Sequence, residues 1–178
     1  HTLVELLTLD ETSHGVFVGK SQDLGWGTIF GGQVLGQALS AAFRSLPSGR
    51  AVHSLHAYFL RTGQVDKPIT FKVQVIREGR SFSTCQVLAH QNEKTIFSLM
   101  GSFHGVEEGF DHNENMPNVP SPTRLTSESE LASAVASKLP PKIQAAAMKR
   151  RAIEIRPVEI DNPFAPTPAN PKKSIWFR

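Results

Sequence analysis

Gly31-Gly32-Gln33-Val34-Leu35-Gly36-Gln37-Ala38-Leu39-Ser40-Ala41-Ala42-Phe43-Arg44-Ser45-Leu46 reads as a helix that carries almost no charge. Val34, Leu35, Ala38, Leu39, Ala42 and Leu46 recur at helical spacing and form one apolar stripe. The opposite face, with Gly36, Gln37, Ser40 and Ala41, is small or uncharged. A helix resting on a surface presents charged side chains to water, so this one is expected to be enclosed. Pro47-Ser48-Gly49 ends it.

The segments around it read as strands. Val16-Phe17-Val18 is a short opening strand, and residues 52–60 are rich in β-forming side chains. Residues 69–76 alternate strictly, with Ile69, Phe71, Val73 and Val75 on one face and Thr70, Lys72 and Gln74 on the other. Glu78-Gly79 marks a turn into residues 81–90, where Phe82, Thr84, Gln86 and Leu88 oppose Ser83, Cys85, Val87 and Ala89. Gln91-Asn92-Glu93-Lys94 turns into residues 95–103, where Phe97, Leu99 and Phe103 share a face. Short links imply antiparallel neighbours, because a parallel crossover needs roughly a dozen residues or more. An uninterrupted meander with a single apolar helix buries both if the sheet curls around the helix from Gly32 to Leu46. The expected fold is therefore α+β, of the hotdog kind.

Beyond residue 112 the pattern changes. Residues 1–112 form the expected hotdog domain, 113–152 a connector, and 153–178 β-like segments broken by prolines. Met116-Pro117-Asn118-Val119-Pro120-Ser121-Pro122 reads as extended chain. Thr126 or Ser127 caps a helix from Glu128 to about Leu139, with Glu130 at the capping-box position, and Pro140-Pro141 stops it. A second short helix is expected from Lys142 to Arg151. Such a connector implies a following domain, and residues 153–178 read as the start of a second hotdog whose remainder is not in this chain.

Composition sets the outer limits. Hydrophobic residues make up 39% and charged residues 20%, as in folded globular chains. The net charge is only +3, and the basic runs Lys149-Arg150-Arg151 and Lys172-Lys173 have no interleaved stacking aromatics, which argues against nucleic acid as a partner. No apolar run approaches the ~20 residues of a membrane helix, and the N-terminus lacks a signal-peptide layout. The lone Cys85 excludes an internal disulfide and sits in a strand pattern as a buried thiol. These features fit a cytoplasmic protein. A peroxisomal address stays open, since such signals sit at a C-terminus expected beyond Arg178. The chain starts at His1 without a Met, so its true start is expected to precede it.

Ile29-Phe30-Gly31-Gly32-Gln33-Val34-Leu35-Gly36-Gln37-Ala38-Leu39 resembles the helix-opening motif of the acyl-CoA thioesterase II (TesB-like) family. The resemblance continues through Val52-His53-Ser54-Leu55-His56-Ala57-Tyr58-Phe59-Leu60-Arg61, then Arg77-Glu78-Gly79-Arg80-Ser81-Phe82-Ser83. It extends through Gly109-Phe110-Asp111-His112 and Met116-Pro117 to Ile155-Arg156-Pro157-Val158-Glu159. The blocks keep the family's order and cover nearly the whole chain. The resemblance implies two hotdogs in tandem that hydrolyse fatty acyl-CoA with an activated water and neither metal nor cofactor. It also implies that the catalytic Asp, Thr and Gln lie in the second hotdog, beyond Arg178.

Candidate site residues follow from chemistry. Gly31, Gly32 and Gln33 open a helix, where backbone N–H groups and the dipole favour an oxyanion; the bland reading is a tight turn and close helix–sheet packing. His53 and His56 are candidate bases with Asp66 as a nearby acid, although histidines on strands usually serve structure. Arg77, Gly79, Arg80 and Ser81 resemble a turn that contacts coenzyme-A phosphates in several hotdog proteins; the alternative is an ordinary hairpin with solvated arginines. His104 and His112 lack partners at metal-ligand spacing, so no metal is expected. Three functions compete. The first is an acyl-CoA thioesterase whose chemistry lies in the other half. The second is a structural or acyl-binding module, and the third a hotdog hydratase or dehydratase, against which the acid-free helix from Gly31 to Leu46 counts. The expected partners are acyl-CoA, a second hotdog domain and further copies of the chain.

Overall fold

The computed structural model describes residues 2–149, 152–162 and 165–178. Contacts divide the chain into two units, His1–Phe110 and Asp111–Arg178. The first contains α1 (Leu3–Leu7), β1 (Asp10–Ser13), β2 (Val16–Gly19), α2 (Gly31–Arg44), β3 (Arg50–Phe59), β4 (Ile69–Glu78), β5 (Phe82–Gln91) and β6 (Lys94–Gly105). The strands pair antiparallel in the order β1-β2-β4-β5-β6-β3. One face of this sheet packs on α2, as expected of a hotdog. Ala38, Ala41 and Ala42 are fully buried and let the helix backbone approach Phe17, Ile69, Phe71, Phe97, Leu99 and Phe103 closely. Burying each of those large side chains contributes about 1.5–3 kcal/mol. Alternation decides the faces: Ser83, Cys85, Val87 and Ala89 of β5 lie inside, while Phe82 points out.

The expected uninterrupted meander holds only for β4, β5 and β6. Strand β3 does not pair with β4; it pairs with β6 at the far edge of the sheet. Residues 60–68 are long enough to make that crossing, and they are tied down along it. Leu60 and Arg61 N–H groups both donate to Ile96 O, and the buried Gln91 side chain bonds Gln64 and Lys67. The β5–β6 hairpin is the expected one, with Asn92 and Glu93 at φ of 48° and 63°, as a tight two-residue hairpin turn requires.

The uncharged side of α2 is also covered, by elements that the sequence pattern did not suggest. Helix α1, closed by a Thr2–Glu5 capping box, leads to β1, and the carbonyls of this arm meet a polar ladder on α2. Gln37 Nε2 donates to Leu6 O at 2.8 Å, Ser40 Oγ to Leu7 O at 3.0 Å and Arg44 Nη1 to Leu9 O at 2.6 Å. The buried face of α2 is therefore Gln33, Val34, Gln37, Ala38, Ala41 and Ala42, with Leu35 and Leu39 only partly buried.

Cys85 lies at the centre of the core, and burial pushes its thiol up to about 11. The reactive thiolate is then scarce at neutral pH. Iodoacetamide is expected to leave native Cys85 unmodified and to alkylate it fully in guanidinium; rapid labelling of the native protein would contradict this packing.

In the second unit, α3 (Glu128–Val135) begins with the expected Ser127–Glu130 capping box. It stops earlier than expected, passing into a 3-10 turn at Ala136–Lys138. A further helix, α4, spans Pro141–Ala147; Arg150 and Arg151, the expected end of that helix, lie outside the described residues. Strands β7 (Ile155–Pro157) and β8 (Ile175–Phe177) pair antiparallel. Arg156 ties β7 to Glu154 and to Leu125 O, and its guanidinium holds the Glu154 carboxyl below the usual carboxylate range. Trp176 Nε1 donates to Pro120 O at 3.0 Å.

Candidate functional site

At the start of α2, Phe30 is the cap residue without a side-chain hydrogen bond. The first N–H groups, on Gly31 and Gly32, have no partner within the helix. Both glycines also lie close against aromatic rings, which a side chain here would have to displace. A Cβ on Gly31 would sit 2.9 Å from the Phe59 ring of β3, and one on Gly32 would sit 2.4 Å from the Phe30 ring. A cleft of about 410 Å³ opens here, with apolar walls from Ile29, Val34 and Phe59 and polar groups from Thr28, Arg61 and Thr62. Gly31 lines it; Gly32 and Gln33 do not. No carboxylate or imidazole is among its described lining residues.

Gln33 is turned away from the cleft and held. Its Nε2 donates to Lys20 O at 2.9 Å, and its Oε1 accepts from Gln22 N at 3.2 Å. The residue is buried, so both ends of its carboxamide fasten the loop after β2. His56 lies on the exposed side of β3, opposite Met100 in β6, with its ring edge-on to Tyr58 at 4.8 Å. His53 shares a hydrogen bond of 2.8 Å with Ser102 Oγ and stacks edge-on against Phe82 and His104. Asp66 is exposed in the 60–68 crossing. His104 lies 3.9 Å from Glu107. The candidate bases and the candidate acid are therefore not brought together at the start of α2.

The turn between β4 and β5 lies elsewhere again. Gly79 N donates to Phe82 O at 2.8 Å, and Arg77, Arg80 and Ser81 are exposed. Sequence reading missed the residue that organises this turn. Arg50, the first residue of β3, donates to the carbonyls of Gly79 and Arg80 at 2.7 and 2.9 Å, and to that of Ser81. Its only local signal is its position just after Gly49, a positive-φ turn residue at 78°. Gly31 meets the Phe59 end of β3, whereas the 79–81 turn meets the Arg50 end. Nine strand steps separate these ends by about 30 Å. The two candidate groups of residues thus do not form one site within this unit.

A single helix enclosed by one curled antiparallel sheet, with free amide donors at its start, defines a hotdog domain. Residues 21–104 match the family described as Acyl-CoA thioesterase N-terminal domain. The whole chain is 40% identical to Acyl-CoA thioesterase 2 of Haemophilus influenzae, of which it spans 62%. Over 97% of its length it is 34% identical to human Acyl-coenzyme A thioesterase 8, of which it spans 56%. Among solved structures, a tesB protein of Mycobacterium avium subspecies paratuberculosis superposes with a TM-score of 0.73 at 31% identity, over 98% of this chain and 59% of that one. Over residues 21–104 the chain matches the N-terminal domain of acyl-CoA thioesterases, and along its whole length it is similar to proteins of that name. It spans less than two thirds of the length of these relatives.

Proposed function

We propose that the chain is the N-terminal half of an acyl-CoA thioesterase, and that this half frames the substrate while the general base comes from a second hotdog. The reaction is attack of water on the thioester carbonyl, followed by collapse of the tetrahedral oxyanion to a fatty acid and free coenzyme A. It needs a base within hydrogen-bond reach of the water and donors at the oxyanion. The observation that carries the reading is the cleft at the start of α2. It has apolar walls and the Gly31 amide, yet no acid or imidazole is among its described lining residues, and Gln33 is committed to Lys20 and Gln22. The same absence weighs against a hydratase or dehydratase. Taken alone, this half is then an acyl-binding module.

The edge of β3 supports a second hotdog as partner. Its outer edge is unpaired among the described residues, and Leu55, Tyr58 and Phe59, with Leu60 just beyond the strand, are 38–62% exposed. Such an edge is a liability unless covered. Antiparallel pairing with the equivalent strand of a second hotdog would extend both sheets into one. It would also bring the Arg50 end of one β3 beside the Phe59 end of the other. That arrangement accounts for the separation of about 30 Å: the 79–81 turn of this half serves a thioester held at the partner's helix start. A further association of whole molecules into a homo-oligomer is part of this proposal, as is a cytoplasmic setting; no described helix is long and apolar enough to cross a membrane.

The test is release of free thiol from a long-chain acyl-CoA by the full-length protein, followed with a thiol-reactive dye. Steady turnover is expected. Failure to cleave a long-chain acyl-CoA would overturn the assignment.

A further inference from the structure

Three consecutive carbonyls of the β4–β5 turn converge on one guanidinium. Arg50 Nη2 donates to Gly79 O and Arg80 O, and Nη1 donates to Ser81 O. Every described peptide bond here is trans, and in a trans peptide the C=O and the following N–H point in opposite directions. With the Gly79 and Arg80 carbonyls drawn toward Arg50, the N–H groups of Arg80 and Ser81 are directed to the far side of the turn. Neither has an acceptor among the described residues. Two successive N–H groups on one side of a turn make an anion-binding concavity. Arg50 strengthens it by polarising the carbonyls of the same peptide planes.

The surroundings carry the matching charge. The Arg77 guanidinium lies beside Gly79, its Nε and Nη2 at 3.6 and 3.8 Å from where a Cβ on that glycine would sit. Such a Cβ would also press to 3.0 Å on Phe82 O, so glycine lets the turn close on that carbonyl. The Arg80 and Ser81 side chains are exposed on the same turn. Three arginines, a hydroxyl and two free amides thus meet within a few residues. The hydrogen bonds of Arg50 are spent on the carbonyls, so it acts through the turn and not on a ligand.

We propose that Arg50 is a positioning residue that holds residues 79–81 as a cradle for a phosphate group of the coenzyme-A moiety. This rests on the acyl-CoA reading above. It is tested in the full-length protein with two substrates carrying the same acyl group. One is the acyl-CoA, and the other is the N-acetylcysteamine thioester, which has no phosphate. Arg50→Ala is expected to raise KM for the acyl-CoA by about tenfold, with kcat retained and both constants for the phosphate-free thioester unchanged. Arg50→Lys is expected to recover part of the loss, because an ammonium cannot hold three carbonyls in the fork geometry of a guanidinium. Equal losses on both thioesters would overturn the proposal, because Arg50 would then serve the fold alone. So would an unchanged KM for the acyl-CoA. Circular dichroism checks that Arg50→Ala is folded, and if it is not, the same comparison with Arg50→Lys decides. Equal KM values for both substrates in the unsubstituted protein would instead overturn the coenzyme-A reading of the turn, and this proposal with it.

Discussion

Replacing Gln37 by leucine is expected to cost about 1–3 kcal/mol of folding free energy. The side chain is fully buried, and its Nε2 supplies both Leu6 O at 2.8 Å and Lys20 O at 2.9 Å. Leucine fills nearly the same volume, so little of the loss comes from a cavity. It comes from Leu6 O, left without a donor at a buried site and worth about 1–3 kcal/mol, whereas Lys20 O keeps its bond from Gln33 Nε2. The consequence is directional. Helix α1 loses its Gln37 anchor on α2, while the loop at residues 20–22 stays fastened by Gln33 and the packing of Phe71, Phe97 and Phe103 on the sheet side is untouched. Chemical denaturation should show the drop in stability, and amide exchange should show it concentrated in residues 3–7. A leucine variant as stable as the parent would mean that the N-terminal arm is held by something other than this ladder.

Arg44 extends the same logic to the far end of the helix. Its guanidinium bonds Leu9 O, lies 3.4 Å from Glu11 and sits 4.7 Å over the Phe17 ring. A residue that looks from its charge like an exposed end-of-helix cation is thus built into the cover of the core. Its alkyl stem and planar head both pack, which lysine would reproduce only in part.

How much of this was legible follows from which forces act locally. Period-two alternation placed β4, β5 and β6 within two residues of their observed ends, because burial on one face is written into every second side chain. The charge-poor helix announced its own enclosure. What enclosed it was not legible: Leu3–Leu7 is too short to show a period, and the bonds from Gln37, Ser40 and Arg44 reach back some thirty residues to backbone atoms that carry no sequence signature. The place of β3 at the sheet edge was hidden for a related reason. Alternation specifies a face but not a neighbour, and residues 60–68 read equally well as a long hairpin loop. At the candidate site, the glycines and the turn arginines were visible as residue types. The capture of Gln33 by Lys20 and Gln22, and of the turn by Arg50, were not, since both depend on which loops the topology brings together.

The central claim is that this half binds and frames but does not catalyse, and turnover by purified residues 1–178 against the full-length protein tests it most directly. No base lies beside the start of α2 among the described lining residues, so on this proposal the isolated chain lacks the general-base contribution of about 10²–10⁴ in rate. With folding verified by circular dichroism, it is expected to cleave a long-chain acyl-CoA at least about 10² more slowly than the full-length protein. Turnover at the full-length rate would contradict the account. It would place the catalytic groups within these residues, with Gln33 and His56 the first to be replaced by alanine.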